Sequence, residues 1–337
     1  MNKRKNSQSI KDIAKLAGVS HTTVSRVINN SGPVKPETRA HIMQIIQEQN
    51  FMPNAAAKAL IQGKTFCIGL AMNDTFFSAD FTLPFIQGMT PVLNDAGYSY
   101  ILMSNAMEGK TGSSLFGTLN ANKIDGLFLF NIETIENENK TIKKLQIPKI
   151  YISSKPASAD CNYVISDDFN GACKAVQHLI DKGHRKIGYI NGTPSFATSI
   201  ERRRGFLATI EQNDLPLLSC FECCGYFEID KGYKAMQELM DRNPYMTAVF
   251  AASDLMAFGA YKAVKERGMR IPDDIAIVGF DNREFCSFME PALTTVEKPK
   301  WLMGKLAAEM MLGVIEKKPD LPRGLVVPTE LIVRDST

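Results

Sequence analysis

Hydrophobic positions recur with a helical period in the first fifty residues. In "SIKDIAKLAG", Ile10, Ile13, Ala14 and Ala17 fall on one face. Ser9 stands where a helix cap belongs, Asp12 lies in the first turn where the helix dipole favours a carboxylate, and Gly18 can end the helix at low strain. A second short helix follows Ser20, with Val24, Val27 and Ile28 turned inward and His21, Thr22, Thr23, Ser25 and Arg26 left as the polar outer set. A third starts at Pro36, a favoured first-turn residue, and brings Ile42, Ile45 and Ile46 to close a small core. The spacing predicts a helix–turn–helix about Gly18-Val19-Ser20. Next, "PNAAAKALIQGK" (53–64) predicts a helix of about two turns, too short to stand alone in water and therefore formed on docking.

From Thr65 the period changes. "CIGLAM" (67–72), "YSYILMSN" (98–105), "DGLFLFN" (125–131) and "KIYISS" (149–154) read as buried strands, separated by helical stretches such as "PFIQGMTPVLNDAG" and "SLFGTLNAN". The rhythm resumes with "VISDD", "HRKIGYING", "AVFAASD" and "DIAIVGFD". Near-continuous apolar strands alternating with helices predict parallel sheets covered on both faces. Two such runs predict two lobes. Asn, Ser, Asp and Gly gather at the strand ends, at the carboxyl edge where open α/β sheets bind ligands.

Charge sharpens this picture. The chain of 337 residues carries a formal net charge of +3, but residues 1–64 hold 10 Lys and Arg against 3 Asp and Glu, leaving 29 against 33 in the remainder. A basic head on a mildly acidic body points to a polyanionic partner for the head, most simply nucleic acid. A second helix whose exposed N-terminal residues are hydrogen-bonding types is what major-groove reading demands. The charged start "MNKRKNSQS" has no apolar stretch and cleavage site after it, and no apolar run is long enough to span a bilayer. Seven cysteines at irregular spacing fit a reducing cytosol, so a cytoplasmic protein is expected. "SCFECC" has no accompanying Cys or His pair at zinc-finger spacing, and neither a metal nor a cofactor is expected. "GTPSFATSIERRRGF" lacks the Gly-Lys-Ser/Thr ending of a phosphate loop, and no GxSxG or HExxH occurs, so no enzyme is expected.

Residues 10–64 closely resemble the DNA-binding head and hinge helix of the lactose-repressor/galactose-repressor (LacI/GalR) family, through "IKDIAKLAGVSHTTVSRVIN" and "PNAAAKAL". "HLIDKGHRKIGYING", "RRRGF", "AVFAASDLMAFGAY", "IPDDIAIVGFDN" and "PALTTV" extend the resemblance through the body. The resemblance implies an all-α helix–turn–helix head (1–51) with a hinge helix (52–64). An α/β periplasmic-binding-protein-like core (65–337) of two doubly wound parallel-sheet lobes follows. The N-lobe would take about 65–165 plus 296–325, and the C-lobe about 166–295 plus 326–337. It also implies a homodimer on double-stranded DNA, at a pseudo-palindromic operator. His21, Thr22 and Arg26 would read bases, Thr23, Ser25 and Asn29 would position the helix on phosphates, and Ala57, Lys58 and Leu60 would enter the minor groove, Leu60 as the apolar wedge.

For the body the resemblance implies a small-molecule effector. Arg202 and Asp281 would grip its polar edge, a guanidinium and a carboxylate facing each other across a cleft. Phe81, Phe196 and Phe227 would line the pocket, and Asn73, Thr198 and Asp254 would add polar contacts. Phe196 stands where the family's purine-binding branch has an arginine, which favours a sugar or polyol over a purine. Ser153 replaces a common acidic contact. The C-terminal "ELIVRDST" stops directly after the last strand, without the tetramerisation helix known in the family, so a dimer is expected. The expected function is a repressor of carbohydrate-utilisation genes under a sugar-like effector. The alternative is a family regulator answering to a protein corepressor or a purine-type corepressor. A transport-associated sugar-binding protein would share the body without the helix–turn–helix.

Overall fold

In the computed structural model, which describes residues 9–28, 31–49, 51, 64–72, 79–104, 123–130, 145–156, 160–216 and 221–337, the chain divides into two units, Met1–Phe66 and Cys67–Thr337. In the first, α1 (Ile10–Leu16) opens on a reciprocal cap: the Asp12 amide donates to Ser9 Oγ at 3.4 Å while the Ser9 amide donates to Asp12 Oδ2 at 2.8 Å. Gly18, at φ +64°, ends it. α2 (His21–Ile28) starts with the Thr23 amide bonded to Ser20 Oγ at 3.1 Å. α3 (Pro36–Glu48) completes the bundle and sends Arg39 to the Val27 carbonyl, near the end of α2, at 3.4 Å. Ile13, Ala14, Ala17, Val24, Val27, Ile42 and Ile45 form the core. Phe51 joins them, and Val19 and Val34 pack against them from loops, positions that helical periodicity does not single out. The hinge segment 52–63 lies outside the described residues, as does the stretch "SLFGTLNAN".

The second unit holds two six-stranded sheets. The first contains β1 (Cys67–Met72), β2 (Ser99–Ser104), β3 (Gly126–Phe130), β4 (Lys149–Ile152), β5 (Asn162–Ser166) and, from late in the chain, β11 (Gly324–Val327). The second contains β6 (Ile187–Asn191), β7 (Glu222–Cys224), β8 (Ala248–Ala251), β9 (Ala276–Asp281), β10 (Thr294–Glu297) and β12 (Glu330–Ile332). Their strand orders are the same, β2-β1-β3-β4-β5-β11 and β7-β6-β8-β9-β10-β12. Neighbours are parallel except β10 and β12, which pair antiparallel. β3, β6, β8 and β9 are buried along their whole length, as strands covered on both faces must be.

The chain changes sheets three times. The second and third crossovers lie after Glu297 and Val327, two residues beyond the ranges expected, because β10 and β11 each run to those residues. Helix α4 (Ala79–Asp95) packs against α9 (Lys300–Ile315), which lies just past the second crossover and also contacts β4 and β5 of the first sheet. The fit is glycine to backbone: a Cβ on Gly88 would lie 2.0 Å from the Trp301 carbonyl oxygen, and one on Gly304 would lie 2.1 Å from that of Phe85. In the second lobe α5 (Asp168–Asp181) packs on α6 (Ala197–Gln212), and α7 (Ile229–Arg242) on α8 (Asp254–Glu266). Among the described residues no helix is long and apolar enough to cross a membrane.

Candidate functional site

In the head, burying Val24 and Val27 rotates the opposite face of α2 outward. His21, Thr22 and Arg26 are exposed, whereas Thr23 and Ser25 are half-buried. The Thr23 hydroxyl shares a 2.9 Å hydrogen bond with Ser20 Oγ, so it belongs to the helix cap as much as to the outer face. Of the remaining residues expected here, Asn29, Ala57, Lys58 and Leu60 lie outside the described residues.

In the core, polar and aromatic side chains converge at the carboxyl ends of parallel strands from both sheets. Ser153 and Ser154 follow β4, Asp168 follows β5, Gly192 follows β6, Phe227 follows β7, Asp281 ends β9 and Lys298 follows β10. This is the edge at which doubly wound sheets hold ligands.

Arg202, on α6, is the centre of the cluster and is 2% exposed. Its Nε donates to Asp168 Oδ1 at 2.9 Å, its Nη2 to Asp281 Oδ1 at 3.2 Å, and its Nη1 to the Ala252 carbonyl at 2.5 Å. The guanidinium lies 3.6 Å from the centroid of the Phe280 ring. The geometry corrects one expectation: Arg202 and Asp281 do not face each other across the cleft. Both stand in the second lobe and are already paired, because strand β9 and helix α6 flank the same sheet edge. Asp168, which sequence reasoning did not single out, is their third member.

Asp281 sits in a strained turn, with φ +108° at Asp281 and +45° at Asn282. What holds that turn is Asp254. Its Oδ2 accepts the Arg283 amide at 2.7 Å and its Oδ1 accepts the Thr295 hydroxyl at 2.5 Å. Asp254 is fully buried, and burial together with nearby Asp281 pushes its carboxyl up to about 7. With both oxygens engaged internally, Asp254 positions the turn that carries Asp281. Arg334 donates to Asn282 Oδ1 at 2.8 Å from the other side.

The aromatic residues occupy two places. Phe196, at the cap of α6, stacks on Phe227 with centroids 6.0 Å apart. Tyr226 and Phe227 both take positive φ, and a Cβ at Gly192 would lie 2.1 Å from Phe227 Cζ, so the glycine admits the ring to the end of β6. Phe81, on α4, lies apart from this pair. Its buried ring stands among three cations of the second lobe and its exit: Arg283 at 5.3 Å, Lys298 at 5.7 Å and Lys300 at 5.9 Å. Beside it Asp80 pairs with Arg283 at 2.8 Å, a direct ion pair between the lobes. Asn73 lies outside the described residues.

A cavity of about 380 Å³ opens between the lobes, within the range of small-molecule sites. Ser153, Ser154, Ser166, Asp168 and Thr198 are among its lining residues. The buried hydroxyls of Ser153 and Ser154 have no hydrogen-bond partner among the described residues. Lys298 and Lys300, also missed from sequence, are 1% and 5% exposed. The one sequence signal for them is "VEKPKW", two lysines directly after a strand end.

The pattern described as "Bacterial regulatory proteins, lacI family" matches residues 9–54, and a periplasmic-binding-protein-like domain matches residues 176–337. Over 97% of this chain and 98% of its own length, the probable HTH-type transcriptional repressor ExuR of Bacillus subtilis (strain 168) is 32% identical. The HTH-type transcriptional regulator CelR of Thermobifida fusca is also 32% identical, over 99% of both chains. The HTH-type transcriptional repressor PurR of Edwardsiella ictaluri (strain 93-146) is 34% identical over 97% of this chain and 96% of its own. Among solved structures, a transcriptional regulator CelR–cellobiose complex superposes with a TM-score of 0.75 at 31% identity, covering 98% of this chain and all of that one. The lac repressor dimer bound to operator and the anti-inducer ONPF gives 0.85 at 24% identity, covering 98% and 99%, a likeness of fold. With a three-helix reading head, a two-lobed core of matching topology and relatives similar over their whole length, the chain belongs to the LacI family of bacterial regulatory proteins and is a DNA-binding transcriptional regulator, not an enzyme.

Proposed function

We propose that this regulator acts in the cytoplasm as a homodimer, represses carbohydrate-utilisation genes, and is controlled by a small sugar-like effector held between the two lobes of its core. His21, Thr22 and Arg26 read bases in the major groove of a pseudo-palindromic operator, and Arg26 suits bidentate bonding of guanine. Thr23, Ser25 and Asn29 set the helix on phosphates, and Ala57, Lys58 and Leu60 act in the minor groove.

The observation that carries the effector half is the Arg202–Asp168–Asp281 cluster beside a cavity whose lining includes two buried hydroxyls with no partner among the described residues. Buried hydroxyls without partners cost free energy unless something bonds them. A guanidinium held by two carboxylates presents a mixed donor and acceptor edge, which suits vicinal hydroxyl groups. Phe227 and Phe196 offer a flat apolar surface beside it. The CelR–cellobiose complex, at 31% identity, supports the same class of ligand. Closure of the lobes on the ligand changes how the N-lobes pair in the dimer, and thereby the spacing of the hinges. The effector shifts this equilibrium only by its differential affinity for the two states.

A thermal-shift panel of sugars, polyols, sugar phosphates and purine bases on the full chain tests the reading. A ligand at 100 times its dissociation constant stabilises the folded state by about 2.7 kcal/mol. Stabilisation by a sugar or sugar derivative is the expected result. Stabilisation by purines alone overturns it.

A further inference from the structure

Resting on that effector reading and deepening it, we propose that the effector is a sugar acid, and that Lys298 neutralises its carboxylate. The inference comes from the balance of charge at the junction of the lobes. Arg202 is held by Asp168 and Asp281. Arg283 is held by Asp80. The Lys300 ammonium donates to the backbone carbonyl of Asp281. Lys298 is left over. Its ammonium faces Asp168 and Asp281, which attract it, and Arg202 and Lys300, which repel it, and no hydrogen bond among the described residues holds it. Among the described residues, three cations there share two carboxylates.

Asp254 does not make up the difference. Its oxygens are engaged by Thr295 and the Arg283 amide, and burial together with nearby Asp281 raises its carboxyl, which disfavours the charged form. A surplus positive charge that is almost wholly buried is costly to keep. Burial duly pushes the Lys298 ammonium down to about 8, against an ordinary value of 10.5. A residue needed only to fill space there would be apolar. Counted over Arg202, Lys298 and Lys300 against Asp168 and Asp281, the surplus among the described residues is a single charge, which one carboxylate balances. A phosphate ester brings about −1.5 to −2 and needs more than one free cation. The rest of a sugar acid is hydroxyl-rich, matching the unpartnered Ser153 and Ser154 hydroxyls, and the Phe81 ring beside Lys298 excludes water from the ion pair.

Isothermal titration of the full chain with matched pairs (glucose and glucuronate, galactose and galacturonate, with gluconate and glucose 6-phosphate alongside) tests this directly. One acid is expected to bind roughly tenfold to a hundredfold more tightly than its neutral partner, the usual range for a charge-assisted hydrogen bond. Lys298→Gln is expected to remove that preference, lowering the acid's affinity more than the neutral sugar's. Independently of any variant, the acid's affinity should fall as pH rises through about 8, where Lys298 loses its proton, and the neutral sugar's should not. Preference for the neutral sugar or for the phosphate overturns the sugar-acid inference and leaves the sugar-effector reading standing. So does acid binding indifferent to Lys298→Gln and to pH. Absence of binding by every ligand overturns both.

Discussion

Replacing Lys298 with methionine should make the effector-free protein more stable. In the folded chain the ammonium is buried, its ordinary value of 10.5 is lowered to about 8, and burial is the largest cause. That difference corresponds to about 3 kcal/mol charged against the native state at pH 7, an order-of-magnitude figure. Methionine is of similar length, unbranched and apolar, and it carries no such cost. For a domain of this size the gain corresponds to roughly 5–10 °C in melting temperature. The sign with pH is equally definite. Below about 8 both folded and unfolded wild type hold the proton, so the cost is constant. Between about 8 and 10.5 the unfolded chain binds a proton that the folded chain has lost, so wild-type stability rises with pH relative to the variant. The variant's advantage should therefore be full at pH 7 and largely gone by pH 10.5. Paired melts of both proteins at intervals over that range measure it, and taking the difference cancels groups common to both. A variant less stable than wild type at pH 7, or an advantage unchanged up to pH 10.5, refutes the account of Lys298 as a residue kept for a ligand at the expense of the fold.

Other substitutions probe neighbouring steps. Arg202→Met strips the shared cation from Asp168 and Asp281, both buried, and should cost about 3–5 kcal/mol in urea melts and abolish effector binding; a variant that melts with the wild type denies the cluster its role. Gly304→Ala gains helix propensity of about 1 kcal/mol. It also drives a methyl into the Phe85 carbonyl, where only backbone movement gives relief, at a cost of about 1–3 kcal/mol; net destabilisation is expected, and a stabilised variant would contradict the reciprocal glycine contact. Arg26→Ala should weaken specific DNA binding by about 1–3 kcal/mol and leave salt-sensitive non-specific binding largely intact, whereas equal losses in both would remove Arg26 from base reading.

Much of this was legible in the sequence, for identifiable reasons. The head's three helices follow from a strict apolar period and from Ser9, Gly18, Ser20 and Pro36 at helix ends, all local signals. The strands β1, β3, β6, β8 and β9 announce themselves as apolar runs because both faces are buried. β7 and β10 do not: "ECC" is three residues long, and "TTVE" breaks its apolar run with two hydroxyls and a carboxylate. The site was legible in part. Arg202 and Asp281 stand in motifs, but Asp168 lies 34 residues before Arg202 and Asp281 lies 79 after it, and only the folded sheet edge shows that all three meet. That Asp254 braces the turn at Asp281 is not legible in the sequence, because a sequence does not say which way a carboxylate at a helix start turns. Lys298 and Lys300 were passed over because a lysine after a strand is ordinarily a solvated one, and here it is buried.

The central claim is that one chain couples reading of DNA to occupancy of the inter-lobe site. The direct measurement is fluorescence anisotropy of the full chain on a duplex recovered by selection from random DNA, titrated with and without a saturating concentration of a ligand shown calorimetrically to bind the core. The account predicts a pseudo-palindromic duplex, bound by a dimer, whose affinity changes by roughly fivefold or more when the ligand is present, the lower range of an allosteric coupling. A duplex affinity unmoved by a ligand that demonstrably occupies the core would contradict it.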